Sequence, residues 1–137
     1  PWAFWDFLPT AAELAGAALP AGFQPDGLSV TALLKGGAAP KRDSFYWELH
    51  EGTSIQAVRF DGNWKAVKNG PNTKTELYNL ETDLAETSDL AAEQPELVAK
   101  AEALMTASRT THPDWPLIEK SKGKAKGKAK AKAKNQK

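Results

Sequence analysis

The side chains able to do chemistry are few and widely spaced. His50 ends an alternating stretch in which Glu48, two residues earlier, shares its face of an extended chain. An imidazole in that place can ligate or donate a hydrogen bond to an anion. A lone histidine lacks the partner geometry of general acid and base catalysis, and packing or solvation at a strand end is the stronger reading. His112 precedes Pro113 in a loop, where the packing role is stronger still. Glu48 and Glu51 are three apart, so in an extended chain they point to opposite faces, which argues against a working carboxylate pair. Trp64 and Lys65 can set an aromatic platform beside a cation for an anionic ligand, although a Trp and a snorkelling Lys on a half-buried sheet more often simply pack. The guanidinium of Arg59 is expected to stack on Trp64.

Other chemistries are excluded by composition or spacing. The chain has no cysteine, hence no disulfide, thiolate metal site or cysteine nucleophile within it. Gly36 and Gly37 are not followed by Lys-Ser or Lys-Thr, and residues 16–27 lack dinucleotide-binding spacing. The acidic residues are scattered, without the spacing of a calcium loop. The sequence therefore holds no self-sufficient active site, and no metal or catalytic residue is assigned.

The elements that must carry His50 and Lys65 read as an α+β unit. Asp6 is placed to cap a helix with Pro9 in its first turn, and Phe7, Leu8, Ala11, Leu14 and Ala15 recur at helical spacing until Gly16 stops it. Residues 16–40 are punctuated by Gly and Pro, leaving 28–34 as one turn of helix. Phe45, Trp47 and Leu49 then alternate with Tyr46, Glu48 and His50, and the β-branched and aromatic runs 55–60 and 64–67 flank Asp61-Gly62. Asp-Gly predicts a two-residue type I′ hairpin, which would pair Arg59 with Trp64 and Val58 with Lys65. A fourth strand is expected at 76–80. Asp83 and Glu86 have capping-box spacing, and Pro95 suits the first turn of a helix whose stripe is Leu97, Val98, Ala101, Leu104 and Met105. That helix should cover one face of a four-stranded antiparallel sheet. Trp115 is expected to pin the end of the folded part to the core.

With 137 residues there is room for one core. The formal charge of +1 hides a division: residues 120–137 hold nine lysines and no acid, leaving 9 basic and 17 acidic side chains in residues 1–119, a net of about −8. The lysine-rich tail lacks large apolar side chains and is expected to be disordered; its charge suits unspecific, salt-sensitive polyanion binding, or equally a solubilising linker. No apolar run approaches the roughly 20 residues that span a bilayer. Pro1 in first place, Met105 as the only methionine and the aromatic opening Trp2, Phe4, Trp5 and Phe7 suggest a piece of a longer protein.

An ordered series of short motifs then becomes specific. Residues 6–10 (Asp-Phe-Leu-Pro-Thr), 13–16 (Glu-Leu-Ala-Gly), 25–29 (Pro-Asp-Gly-Leu-Ser), then Leu33, Leu34 and Gly36 resemble the stretch that closes the large domain of sulfatases. Arg42, Asp43, Tyr46, Trp47, Glu48 and His50, then 56–59 (Gln-Ala-Val-Arg) and 62–66 (Gly-Asn-Trp-Lys-Ala), are similar to the sulfatase C-terminal sheet. Residues 76–80 (Glu-Leu-Tyr-Asn-Leu), with Asp83, Glu86 and Leu90, are similar to its last strand and the turn into its last helix. The chain departs at Leu84, where the family usually has Pro, and residues 120–137 match no family motif.

The resemblance implies three regions: 1–40 as the end of the large sulfatase domain, 41–119 as the C-terminal subdomain, and 120–137 as a tail. The helix and loop of the first region would dock on a missing larger α/β domain, the principal partner, which would also bury Trp2, Phe4, Trp5 and Phe7. It implies a parent that hydrolyses sulfate esters, aryl or carbohydrate, using calcium and a formylglycine made within a Cys/Ser-x-Pro-x-Arg motif. None of that machinery lies in these residues, so the implied role here is accessory, with His50 and Lys65 as cleft-facing substrate contacts. Family habit implies a periplasmic or extracellular parent. From another class, a non-catalytic α+β binding module with a polyanion-binding tail also accommodates the sequence.

Overall fold

The computed structural model describes residues 1–119. A 3-10 turn, Phe4–Asp6, runs into helix α1, Phe7–Leu14, and a short helix α2, Thr31–Leu34, follows a long loop. Strands β1 (Ser44–His50), β2 (Ser54–Phe60), β3 (Trp64–Lys68) and β4 (Thr75–Asn79) form an antiparallel sheet in that order, and helix α3, Pro95–Ser108, lies across one face. The α+β architecture is the one anticipated. The tail, residues 120–137, lies outside the described residues.

The core explains which face the helix takes. Val58, Phe60, Ala66 and Leu77 from the sheet meet Ala101 and Met105 from α3, all nearly inaccessible, with Tyr46, Trp64, Leu97, Val98 and Leu104 packed around them. The helical stripe read from the sequence is the stripe that packs. On β1, however, it is the polar row Tyr46, Glu48 and His50 that shares this helix-covered face. The apolar row Phe45, Trp47 and Leu49 faces away, where Phe45 is covered by Trp5 and Arg42.

The β2–β3 turn departs from expectation. Phe60 pairs with Trp64, Arg59 with Lys65 and Val58 with Ala66, so the loop holds three residues, Asp61, Gly62 and Asn63. Asp61 and Gly62 do adopt positive φ (45° and 79°). The two-residue alternative would place Lys65 opposite Val58, whereas the extra residue puts Ala66 there and sends Lys65 to the other face. A one-residue slip moves every side chain of a strand across the sheet, and burial of Ala66 decides the register. Arg59 consequently does not stack on Trp64; its Nε donates to the Gly62 carbonyl (3.1 Å) and its Nη2 to Asn63 Oδ1 (3.3 Å).

Asp6 stands at the N-cap position of α1 without capping it. Its buried carboxylate instead accepts from Ala3 N (2.8 Å), Leu28 N (2.9 Å) and the Arg42 guanidinium, tying three parts of the N-terminal segment together. Gly27 allows this closure: a Cβ there would lie 2.1 Å from the Trp5 carbonyl oxygen. Helix α1 ends in a Schellman motif, with Gly16 at φ 64°, Gly16 N donating to Glu13 O (3.2 Å) and Ala17 N to Ala12 O (2.9 Å). Asp83 and Glu86 form no capping box either. Asp83 accepts from the amides of Thr87 and Ser88 (both 2.8 Å), closing a turn in which Glu86 sits at φ 56°.

Candidate functional site

His50 closes β1 and shares the helix-covered face with Glu48, as the two-residue period requires. Its Nε2 lies 2.7 Å from Glu48 Oε1, and its Nδ1 lies 3.0 Å from Ser54 Oγ. Ser54 is the cross-strand partner of His50, and its Oγ also accepts the amide of Ile118 at 2.7 Å. An ionised Glu48 only accepts, so the neutral ring carries its proton on Nε2 and Nδ1 accepts from the Ser54 hydroxyl.

Glu48 is the hub. Besides His50 it accepts from the Tyr46 hydroxyl and from Arg109 Nε at 2.9 Å; Gln56 Nε2 in turn donates to Tyr46 Oη at 2.8 Å. Burial opposes the charge on Glu48, but the bonds from Tyr46, Arg109 and His50 outweigh it and hold the carboxyl below its ordinary range. Tyr46 moves the other way, pushed up to about 12, mainly by burial and then, against the bond from Gln56, by the Glu48 carboxylate.

Ser54, His50 and Glu48 follow the order of groups in a nucleophilic relay, yet Ser54 is 1% exposed and its oxygen already receives the Ile118 amide. No substrate atom can approach it in this arrangement. What the cluster does is hold the chain end: Arg109 Nη2 donates to the Trp115 carbonyl (2.6 Å), Ser54 N and Thr53 Oγ1 donate to the Ile118 carbonyl (2.8 and 3.0 Å), and the Trp115 and His50 rings lie 5.8 Å apart. Trp115 itself stays 61% exposed, so the terminus is pinned by main-chain bonds rather than by burial of its indole.

Beside the cluster, a groove of about 390 Å³ runs along β1, bounded by Trp5 and Arg42 on one side and by Tyr46, Glu48 and Arg109 on the other. Both arginines are committed, Arg42 to Asp6 and Arg109 to Glu48, so the groove is polar but carries no unpaired cation from either. The sequence reading missed both. Arg109 follows the last turn of α3, a position with no periodic signal, and Arg42 precedes the first strand in a Pro- and Gly-rich stretch.

Lys65 is not brought to His50. It projects from the opposite face of the sheet, where its Nζ donates to both Glu86 oxygens (2.6 and 2.7 Å). His112 sits in the exposed chain end near Asp114. Among the described residues no three His, Cys, Asp or Glu side chains converge to hold a metal ion, so calcium implied by the resemblance finds no seat among them. No described helix is long and apolar enough to cross a membrane.

Comparison with known proteins places this unit. No family model matches the chain. A protein described as a sulfatase from Formosa agariphila (strain DSM 15362 / KCTC 12365 / LMG 23005 / KMM 3901 / M-2Alg 35-1) is 33% identical over a match that takes in 66% of this chain and 19% of that protein. The crystal structure of Ps i-CgsB in complex with k-i-k-neocarrahexaose superposes with a TM-score of 0.64 at 29% identity, covering 80% of this chain and 25% of that one. The structure of BT1596, a 2-O GAG sulfatase, gives 0.65 at 26% identity over 83% of this chain and 27% of that one. The chain thus spans only a fifth to about a quarter of the relatives it matches.

Proposed function

The chain belongs to the sulfatase family over a stretch equal to about a quarter of a sulfatase, and from that premise we propose that it is the C-terminal, accessory part of an enzyme hydrolysing sulfate esters of carbohydrates. One observation carries the reading: the four-stranded sheet with its covering helix corresponds, at 26–29% identity, to part of solved relatives, one of them in complex with neocarrahexaose and another described as a 2-O GAG sulfatase. The substrate class follows by analogy with these relatives, a sulfated polysaccharide.

The residues present support an accessory rather than a catalytic role. Ser54, His50 and Glu48, which stand in relay order, are consumed in holding the chain end, and among the described residues the sheet offers no other nucleophile beside a base. A formylglycine and calcium, as the family uses, would come from the remainder of the parent; no step is assigned to them here. The sheet would border the substrate cleft, with His50 and Lys65 as contacts. Since they occupy opposite faces of the sheet, each is expected to act alone and to exchange its present partner for the substrate, His50 leaving Glu48 or Ser54 and Lys65 leaving Glu86.

The test reads the coding frame upstream of Pro1 and then assays the joined protein. A Cys or Ser followed by x-Pro-x-Arg, together with sulfate release from a sulfated oligosaccharide, is the expected result. His50→Ala and Lys65→Ala should each raise KM several-fold on the oligosaccharide. Unchanged turnover and preference in both variants would remove these two residues from the cleft. An unrelated upstream sequence would remove the enzyme reading itself.

A further inference from the structure

The groove along β1 follows the outermost strand of the sheet, between the N-terminal segment and the residues after α3. Its volume of about 390 Å³ falls within the range of small-molecule sites, roughly 300–1,000 Å³. Trp5, Asp26 and Arg42 line it on one side, and Glu48, Ser108 and Thr110 on the other. The first side is held in place by packing. The Trp5 ring lies against Phe45 and Trp47 (centroids 6.4 and 5.5 Å apart), and the Arg42 guanidinium sits 4.6 Å over the Phe45 ring. Gly27, closed onto the Trp5 carbonyl, carries Asp26 beside that wall.

The charges around the groove decide against an ionic ligand. Arg42 and Arg109 stand among Asp6, Glu48 and Asp26, two cations against three carboxylates, a net of about −1. A sulfate group entering there gains no net attraction and would have to draw an arginine away from its carboxylate. A cation fits no better, because the open groups include donors. Arg42 reaches Asp6 through Nη2 alone, which leaves its Nε and Nη1 protons without an acceptor among the described residues. Acceptors are open as well: the exposed Asp26 carboxylate and the hydroxyls of Ser44, Ser108 and Thr110 make no hydrogen bond among the described residues.

Mixed donors and acceptors beside an aromatic ring match a neutral polyol. Each hydroxyl of a sugar both donates and accepts, and the C–H face of the ring can lie on an indole. Such a ligand leaves both ion pairs intact, Arg42 with Asp6 and Arg109 with Glu48 at 2.9 Å. Glu48 also joins the groove to His50, whose Nε2 is 2.7 Å from its Oε1. Resting on the carbohydrate-sulfate reading above, we propose that the groove is a subsite for an unsulfated sugar ring of the substrate, seated beside the sulfated ring that His50 would contact. The joined enzyme would then favour chains in which a sulfated and an unsulfated ring adjoin.

Binding is measured first by NMR titration of the isotope-labelled full chain. The probes are two neutral tetrasaccharides, neoagarotetraose and cellotetraose, with galactose 4-sulfate and inorganic sulfate as the charged pair. At least one neutral tetrasaccharide should shift the Trp5 indole N–H and the Arg42 Nε–H, with a millimolar Kd that holds as NaCl rises from about 50 to 200 mM, since no net charge is screened. Neither charged probe should move these signals. Asp26→Ala removes an exposed side chain with no partner in the fold and should weaken binding about tenfold, the loss of one hydrogen bond to a charged group. Trp5→Phe, which keeps a ring against Phe45, should weaken it less. No shift with either tetrasaccharide, tighter binding of a charged probe, or full binding by Asp26→Ala would overturn the proposal.

In the joined enzyme the readout is a ratio, kcat/KM for an oligosaccharide with an unsulfated ring beside its sulfated one over kcat/KM for a monosulfated sugar. Asp26→Ala should lower that ratio about tenfold, and Asp26→Asn, which keeps an acceptor, should lower it less. An unchanged ratio in both variants would overturn the subsite. Failure of the unaltered joined enzyme to release sulfate from either substrate would instead overturn the sulfatase reading, while the titrations would still decide whether the groove takes a neutral sugar.

Discussion

Asp6 and Glu48 show how two carboxylates organise the chain. Each collects donors from distant positions: Asp6 from Ala3, Leu28 and Arg42, Glu48 from Tyr46, His50 and Arg109. Burial works against the charge on Asp6, but the two amides and then Arg42 overcome it and lower its pKa. Because both carboxyls are depressed in the folded chain, their contribution is full above the unfolded value near about 4 and is lost as pH falls through the lower folded values. The thermal midpoint should therefore drop steeply below about pH 4, and Asp6→Asn should flatten that limb in a melting series. Tyr46 gives the mirror case: its raised value adds stability below about pH 10, lost as pH climbs toward about 12. Arg42→Met leaves a 1% exposed carboxylate without its counter-charge and should cost about 3–5 kcal/mol in urea unfolding. Glu48→Gln should weaken the hold on the chain end, seen as faster hydrogen exchange at the amides of Ser54 and Ile118; unchanged protection there would show that the hub does not hold that segment. His50 was legible as a site candidate from its place beside Glu48. That both its nitrogens are engaged was not, since Ser54 becomes its neighbour only through strand pairing.

Elements were legible where a period repeats and opaque where a single residue decides. The stripe of α3 and the four strands follow from spacings of 3.6 and 2, and Gly16 ends its helix by adopting positive φ, as a glycine there should. The hairpin register was misread because Asp-Gly signals left-handed backbone without counting loop residues; packing of Ala66 against Val58 settles the count. Deleting Asn63 is the corresponding experiment: a two-residue Asp-Gly loop then joins Phe60 to Trp64 with Ala66 still opposite Val58, so the cooperative unfolding transition should be kept, and its loss would show that the third loop residue is itself required. Gly27 is a second single-residue dependence. Its substitution by Ala places a methyl 2.1 Å from the Trp5 carbonyl oxygen, so the loop must move and the Leu28 amide must leave Asp6. Gly27→Ala should destabilise the N-terminal segment by about 1–3 kcal/mol, the range for inserting a methyl where there is no room, with little effect on the sheet monitored through Trp64.

At the scale of the molecule, the core of β2, β3, β4 and α3 is covered while the opening segment is not. Phe4, Phe7 and Trp2 are 90%, 64% and 62% exposed, and Trp47 and Leu49 on the uncovered face of the sheet add to the apolar surface. A chain of this size left with that surface should self-associate; sedimentation at increasing concentration should show mass growth, reduced by the triple change Trp2→Ser, Phe4→Ser and Phe7→Ser. A monomer at every concentration would mean that these rings do not form an adhesive patch. The same exposure fits the proposal that another part of a sulfatase covers this segment, a proposal that assigns the chemistry to that remainder and the border of the cleft to the sheet. Sulfate release, followed by ion chromatography from a sulfated oligosaccharide, measures that division most directly. Residues 1–137 alone should release none, and the protein joined to its upstream part should release it with turnover; release by the isolated chain, or none by the joined protein, would contradict the assignment.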